Sequence, residues 1–223
     1  MSQTDADNAT TLLDSELPYR MLAENFLSPQ ESAQLLEFAD EHSIVGDGYH
    51  GNPHPHTPHE TFAGYSLDGR QGNTTVAGHL LTLEVMNRAR LMVKKHFRLP
   101  FLWLEYGHLV VREATGAGAE AEAEEYSHPW HYDNQAGSIK YRSHTAILYL
   151  NDGFEGGLTR FKETDFGPFR EFTPEAGKLV AFSVAENAHA VSKLRSGRRY
   201  VLNMWFSTHW KRWRNNRKIF RPL

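Results

Sequence analysis

The chain has 223 residues, of which 40% are hydrophobic and 23% are charged, and its formal net charge is −3. These values are typical of a soluble globular protein with one core, and the small negative charge argues against a general nucleic-acid binder. Cysteine is absent, which excludes disulfides, zinc–thiolate sites, iron–sulfur clusters and cysteine nucleophiles.

The N-terminal segment is polar and acidic, and residues 1–17 contain few apolar side chains. We expect this segment to be a disordered lead-in. It lacks the basic and apolar regions of a signal peptide, and no apolar run in the chain approaches the ~20 residues of a membrane-spanning helix. The expectation is therefore a cytoplasmic enzyme without a membrane span.

Two helices are predicted before residue 100. Ser28 and Glu31 have the spacing of a capping box, with Pro29 at the first helical position. A second helix is predicted over residues 75–97, where apolar residues recur at helical spacing. These residues are Leu81, Val85, Ala89 and Met92.

Two segments are predicted to be loops. Residues 46–62 hold three prolines, three glycines and four histidines, and their broken backbone favours a substrate-facing lid or a solvated loop over a metal site. The Ala/Glu tract over residues 120–125 is predicted to be a surface loop or a short helix.

The second half of the chain reads as strands. Short β-branched and aromatic runs alternate with turn residues, with no helical segment between them. This pattern predicts an α+β chain in which N-terminal helices support an antiparallel sandwich or jelly roll, as a single domain over residues 18–209. The predicted strands are Leu109–Arg112, Thr145–Leu150, Leu158–Phe161, Leu179–Phe182 and Tyr200–Phe206.

His131 and Asp133 form an H-x-D motif that indicates a metal site. On a strand, residues two apart face the same side, so both side chains can bind one ion. The third ligand must come from further along the chain, where His144, His189 and His209 are available. His189 is the best placed, because it precedes a turn and a strand that returns to the same cavity. Two histidines and a carboxylate are the ligand set of non-heme Fe(II) oxygenases.

Arg199 lies ten residues after His189. Its guanidinium has a fixed fork of donors that suits the far carboxylate of a keto-dicarboxylic acid chelated to the metal. Taken singly, Arg199 reads more readily as a surface arginine and His189 more readily as a structural histidine. Their spacing from each other and from the H-x-D motif favours the metal site with its anion anchor.

The order and spacing of these motifs resemble the 2-oxoglutarate- and Fe(II)-dependent dioxygenases of the prolyl hydroxylase type. The closer resemblance is to the leprecan-type prolyl 3-hydroxylase catalytic domain, over residues 20–209. The motifs that carry it include His108-Leu109-Val110-Val111-Arg112, His131-x-Asp133-Asn134, Ser143-His144-Thr145, Tyr149-Leu150-Asn151, Phe154-x-Gly156-Gly157, Asn187-x-His189-x-Val191 and Gly197-x-Arg199.

The resemblance implies a double-stranded β-helix with Fe(II) bound by His131, Asp133 and His189. It implies 2-oxoglutarate as co-substrate, held by Arg199 with a second bond from the Tyr149 hydroxyl, and O2 as oxidant, with ascorbate as an optional reductant. Arg112 is placed near the cavity, where it contacts substrate or co-substrate or forms a structural salt bridge. Collagen-modifying members of the family have many cysteines, whereas this chain has none. We therefore expect the iron chemistry of the family to carry over to this chain, but not the collagen substrate.

The predicted function is hydroxylation of a prolyl residue, an amino acid or a small peptide-like substrate. The alternatives are a biosynthetic hydroxylase of a non-proline small molecule and a catalytically silent jelly-roll binding module. The basic aromatic tail, residues 210–223, reads as a solvated helix pinned by its aromatic residues or as a site for an acidic partner or membrane surface.

Overall fold

The computed structural model describes residues 11–12, 19–45, 60–67, 76–115, 126–135, 137–163 and 168–221. Most of the predicted lead-in, residues 46–59 of the histidine-rich loop and the whole Ala/Glu tract lie outside these ranges. The helices are α1 (Pro29–His42), α2 (Ala77–His96) and α3 (Trp213–Ile219). The strands are β1 (Thr11–Leu12), β2 (Arg20–Ala23), β3 (Ile44–Val45), β4 (Glu60–Leu67), β5 (Trp103–Ala114), β6 (Tyr126–His131), β7 (His144–Tyr149), β8 (Glu155–Gly156), β9 (Thr159–Lys162), β10 (Phe169–Phe172), β11 (Leu179–Ser183), β12 (His189–Ser192), β13 (Leu194–Ser196) and β14 (Arg198–Ser207).

The strands form two facing sheets and a small third one. The large sheet has the order β1-β2-β11-β7-β14-β5-β4-β3, and the smaller sheet has the order β10-β9-β12-β6. Strands β13 and β8 pair separately, and neighbouring strands are antiparallel. Apolar side chains from the large sheet and the smaller sheet meet in one cluster between them. In this cluster, Phe161 of β9 packs with Val180 and Phe182 of β11.

The two N-terminal helices cover the other face of the large sheet. The predicted cap of α1 is present, because the Ser28 hydroxyl accepts from the backbone N–H of Glu31 at 3.2 Å and the Glu31 carboxylate accepts from that of Ser28 at 2.8 Å. Leu35 of α1 and Val85 of α2 are fully buried against this face. None of the helices in the described ranges is long and apolar enough to cross a membrane.

The central strands of the large sheet send alternate side chains to opposite faces. On β14, Leu202 and Met204 pack under the helices, whereas Val201 packs between the sheets. The residues of β14 that share the face of Val201 are Arg199, Asn203 and Trp205, and all three line a cavity between the sheets. The strand period therefore brings polar side chains into the interior of the sandwich.

The structure corrects three local predictions. The predicted loop does not extend to Phe62, because strand β4 begins at Glu60. The predictions also missed the short strand β2. His131 is the last residue of β6 and Asp133 lies in the following turn, so the two do not share a strand as predicted.

The C-terminal segment packs against the domain. A 3₁₀ turn over Trp210–Arg212 leads into α3, which contacts β5. The Asn216 side chain accepts from the backbone N–H of Leu104 at 3.0 Å, and Ile219 is 2% exposed within the helix-side core. Packing on β5 therefore stabilises a helix in this segment, although the segment is rich in basic residues.

Candidate metal centre

Three predicted ligands converge at one end of the smaller sheet. His189 begins β12 and lies opposite His131 of β6 in the strand register. The Nε2 atom of His131 is 3.5 Å from Oδ1 of Asp133, and that of His189 is 3.7 Å from Oδ2. One ligand atom from each residue lies within 4.8 Å of the other two. This spacing is compatible with a single bound cation.

Hydrogen bonds orient both imidazoles toward Asp133. The Nδ1 atom of His131 is 2.8 Å from the Pro129 carbonyl, and that of His189 is 3.2 Å from the Asn187 carbonyl. A carbonyl only accepts, so each Nδ1 carries the proton and each Nε2 presents a lone pair to the cluster. Backbone carbonyls commonly orient metal-binding histidines in this way.

The charge state of the cluster suits a cation. Burial alone would raise the pKa of Asp133, but His189, His131 and the Thr145 hydroxyl, which donates to Oδ2 at 2.6 Å, hold it well below its usual range. Burial lowers the pKa of His189 to about 4 against the opposing effect of Asp133. Near neutral pH the cluster therefore offers an ionised carboxylate beside a neutral imidazole, which is the state that binds a metal.

The cluster opens into a cavity of about 390 Å³ between the two sheets. Two imidazoles and a carboxylate are typical ligands of non-heme Fe(II), and they leave coordination positions for other molecules. The donor set thus fits the predicted iron. The cavity wall is formed by Phe62, Tyr106, His108, Val110, Arg112, His128, Arg142, Thr145, Ile147, Val191, Arg199, Asn203 and Trp205, together with the three cluster residues.

Arg199 lines the same cavity and is 3% exposed. Its Nε donates to the Gly157 carbonyl at 2.9 Å, and its guanidinium also lies within hydrogen-bonding reach of the Tyr149 hydroxyl. Among the described residues, no carboxylate forms an ion pair with Arg199. Burial lowers its pKa to about 10, so it remains charged at neutral pH. A buried cation without a carboxylate partner favours an anionic ligand.

Tyr149 is fully buried beside Arg199. The Arg199 guanidinium carbon lies 5.6 Å from the tyrosine ring centroid. The Tyr149 hydroxyl donates to Oγ1 of Thr159 at 2.7 Å, so a bond to a carboxylate would require it to change partner. The co-substrate role of Tyr149 stays a prediction.

Arg112 forms the predicted salt bridge as well as facing the cavity. It pairs with Glu60 at 3.4 Å, and its guanidinium lies 4.9 Å from the Phe62 ring centroid. Arg112 and Arg199 are opposite each other on paired strands, and Glu60 partly offsets their mutual repulsion. A contact from Arg112 to substrate or co-substrate stays a prediction.

The other histidines and tryptophans considered in the sequence differ in whether they belong to the cluster or line the cavity. Neither His144 nor His209 belongs to the cluster. His128 stacks on His131 with ring centroids 4.0 Å apart, and it lines the cavity. Trp205 lines the cavity, whereas Trp130 packs against Tyr126.

Sequence reasoning gave no role to Thr145 or Arg142, which both contribute to the cavity. Alternation along β7 was the available indication for Thr145, because it shares a strand face with Ile147 and Tyr149. Arg142 follows a 3₁₀ turn, and no local pattern indicated where its side chain would lie.

Comparison with known proteins places the site in a family. Residues 119–207 match the model of the 2OG-Fe(II) oxygenase superfamily. Human prolyl 3-hydroxylase 2 is 31% identical over 224 residues, a match that covers 90% of this chain and 32% of the relative. Chicken prolyl 3-hydroxylase 1 is 33% identical over 208 residues, covering 84% and 29%. The chain thus spans about a third of the length of these curated relatives.

Solved structures confirm the predicted jelly-roll fold. A prolyl-4-hydroxylase from Pseudomonas putida has a TM-score of 0.58 at 20% identity and covers 85% of this chain and 92% of its own. A prolyl hydroxylase from Trichoplax adhaerens, solved with a hypoxia inducible factor peptide fragment, has a TM-score of 0.57 at 17% identity and covers 86% and 84%. At these identities the likeness concerns the fold alone.

Proposed function

On the premise that the chain contains a 2OG-Fe(II) oxygenase domain, we propose that it is an Fe(II)- and 2-oxoglutarate-dependent dioxygenase. It hydroxylates an unactivated C–H bond, and the names of the curated relatives favour a prolyl residue as target. One observation carries the proposal. A single cavity holds a His-Asp-His cluster and a buried arginine that has no carboxylate partner among the described residues.

His131, Asp133 and His189 are the residues that would hold Fe(II). When bound, the metal supplies the redox chemistry by which O2 attacks an unactivated C–H bond. In the overall reaction, one oxygen atom enters the substrate as a hydroxyl group and the other enters succinate, while 2-oxoglutarate loses CO2. The Thr145 hydroxyl donates to Oδ2 of Asp133 and orients the carboxylate.

Arg199 binds the far carboxylate of 2-oxoglutarate. The Gly157 carbonyl holds its Nε, so the terminal nitrogens point in a defined direction. Apolar side chains of the cavity wall, such as Val110 and Ile147, limit the access of water to the reacting atoms. Ascorbate as reductant and a cytoplasmic location are further parts of the proposal and stay predictions.

The test measures succinate formed from 2-oxoglutarate in the presence of Fe(II), ascorbate and proline-containing peptides. We expect turnover by the wild type, and background rates with Asp133→Ala because the only carboxylate of the cluster is removed. Asp152→Ala, which removes an exposed aspartate outside the cluster, is the matched control and keeps the wild-type rate. Mn(II) affinity, measured by calorimetry, should fall in the first variant alone.

Wild-type succinate formation no higher than that of Asp133→Ala would refute the proposal. Metal binding that depends on Asp133 but is never accompanied by decarboxylation would favour the catalytically silent binding module instead.

A further inference from the structure

Two exposed lysines and two exposed aromatic residues form one surface beside the cavity. We call Lys140, Tyr141, Trp210 and Lys211 the basic aromatic patch. Trp210 is 64% exposed and Tyr141 is 39% exposed. Each ring has a lysine nearby, with Lys140 Nζ 5.1 Å from the Tyr141 centroid and Lys211 Nζ 5.6 Å from that of Trp210.

The patch joins two segments that are distant in sequence. The ring of His209 lies 4.4 Å from that of Tyr141 and 6.4 Å from that of Trp210, measured between centroids. The turn before β7 and the turn after β14 therefore present a continuous surface.

Within the part of the chain that the structure describes, no ion pair compensates the two lysines of the patch, because neither has a carboxylate within ion-pair distance. No Asp or Glu follows Glu186, and none lies between Asn134 and Asn151. Glu105 contacts Arg212 at 3.4 Å, but its side chain is 8% exposed and also lies 4.0 Å from Arg142. The charge is thus available to an acidic partner.

The patch adjoins a residue of the cavity wall. Arg142, the residue after Tyr141, lines the cavity, and its guanidinium lies 4.5 Å from the ring centroid of Trp205. Arg212 links both regions, because it shares Glu105 with Arg142 and lies 5.1 Å from the Tyr141 ring centroid.

This position distinguishes a polypeptide from a free amino acid. A molecule as small as an amino acid would lie inside the cavity and leave the patch uncovered. An extended chain advances about 3.3 Å per residue, so residues that flank the target of a polypeptide extend beyond the cavity toward the surface that adjoins it.

We propose that the basic aromatic patch binds acidic residues that flank the target residue of a polypeptide substrate. The inference rests on the proposed function, since it assigns the substrate class of the same site. The aromatic faces support the flanking chain, and the two lysines pair with its carboxylates.

The test measures binding without turnover, by fluorescence anisotropy on the full chain loaded with Mn(II) and 2-oxoglutarate. The probe is a fluorescein-labelled peptide with one central proline between two pairs of glutamates, and its partner peptide has glutamine at those four positions. We expect the glutamate peptide to bind roughly tenfold more tightly at low salt, and this preference to shrink at high salt.

A double charge reversal locates the interaction. Lys140→Glu combined with Lys211→Glu should weaken binding of the glutamate peptide roughly tenfold and leave the glutamine peptide unchanged. The control combines Lys94→Glu with Lys95→Glu, which changes the net charge equally on the last turn of α2. The control should leave both affinities within about twofold.

Equal affinity for the two peptides, or equal loss in the patch and control variants, would overturn the inference. Tighter binding of a single-stranded oligonucleotide than of the glutamate peptide, lost in the same patch variant, would also overturn it in favour of nucleic acid. Succinate formation without peptide reports on the proposed function separately. Patch-dependent binding together with succinate formation no higher than that of Asp133→Ala would uphold the patch and refute the proposed function.

Discussion

His144 and His189 show how neighbouring groups give two buried histidines different uses. Both are almost inaccessible, and burial lowers the pKa of each to about 4. His189 faces Asp133, with its Nδ1 committed to a backbone carbonyl. The Nδ1 of His144 is 3.0 Å from the Ser143 hydroxyl, and its ring lies 4.7 Å from that of Phe97. The first is oriented toward the candidate metal centre, and the second packs in the core.

The packing of His144 predicts a dependence of stability on pH. Its pKa of about 4 in the folded state lies below the ordinary value of 6.5, even though Glu186 nearby favours protonation. The unfolded chain therefore takes up the proton first as the pH falls. The contribution of neutral His144 to the free energy of unfolding is fully present above pH 6.5, and it is lost progressively as the pH falls toward 4.

We expect His144→Gln to remove part of this dependence, because glutamine does not titrate. Urea unfolding of the metal-free protein at pH 7 and pH 5 measures it. From pH 7 to pH 5, the free energy of unfolding of the wild type should fall by up to about 2 kcal/mol more than that of the variant. Parallel losses in the two proteins would contradict the assignment.

At the level of elements, the turn between β8 and β9 controls the position of Arg199. Gly157 has a positive φ of 64°, and its carbonyl accepts from the Arg199 Nε. A Cβ atom added at Gly157 would lie 2.8 Å from Cδ of Arg199, which is closer than side chains tolerate. The absence of a side chain there lets the strand and the turn approach each other.

Gly157→Ala should therefore weaken binding of 2-oxoglutarate, because Arg199 must move away from its carbonyl partner. Loss of one charge-assisted hydrogen bond corresponds to roughly a tenfold or greater rise in the dissociation constant. Calorimetry with the Mn(II)-loaded protein measures this constant.

Gly153→Ala is the matched control for this variant. Gly153 also has a positive φ, of 77°, but a Cβ there meets nothing within 4 Å. Both variants should lose about 1 kcal/mol of stability from backbone strain, and only Gly157→Ala should lose affinity. Equal affinities in the two variants would show that the turn does not position Arg199.

At the level of the whole molecule, the C-terminal segment is part of the domain's core. Ile219 is buried with the helix-side cluster, Asn216 bonds the β5 backbone, and Arg212 faces the buried Glu105. Burial raises the pKa of Glu105, while Arg212 and Arg142 oppose that effect. Among the described residues, loss of the segment would leave Arg142 as the one ion-pair partner of Glu105.

Deletion of residues 210–223 should therefore destabilise the protein. Loss of a buried isoleucine and a buried hydrogen bond costs roughly 3 kcal/mol or more, or roughly 10 °C in Tm for a domain of this size. Thermal unfolding followed by circular dichroism measures the change.

Trp210→Ser is the control for the deletion, since its side chain is mostly exposed, and it should leave the Tm almost unchanged. A truncated chain that melts with the wild type would show that the segment is a dispensable tail. If the deletion does destabilise the fold, point substitutions are the better test of any binding role.

Much of the site could be predicted because its components have local or periodic patterns. The H-x-D motif and the step from His189 to Arg199 each depend on residue type and spacing along the chain. The capping box of α1 does as well, and the structure contains it. Residue type and spacing thus sufficed to predict a β-sandwich in which His131, Asp133 and His189 converge and Arg199 lines the same cavity.

Pairings between distant segments could not be predicted in this way. Glu60 was expected in a loop, yet the register of β4 on β5 places it opposite Ala114 and near Arg112. Likewise, only packing of α3 on β5 brings Arg212 to Glu105, and only the turns at the ends of β7 and β14 bring Tyr141 to His209.

The sequence by itself determined which chemical groups this protein can offer to a metal and to an anion. The tertiary structure alone decided which charges neutralise one another, which side chains line the cavity and which surface adjoins it. The physical reason is that strand register and helix packing set distances between residues far apart in the chain, and no local periodicity encodes those distances.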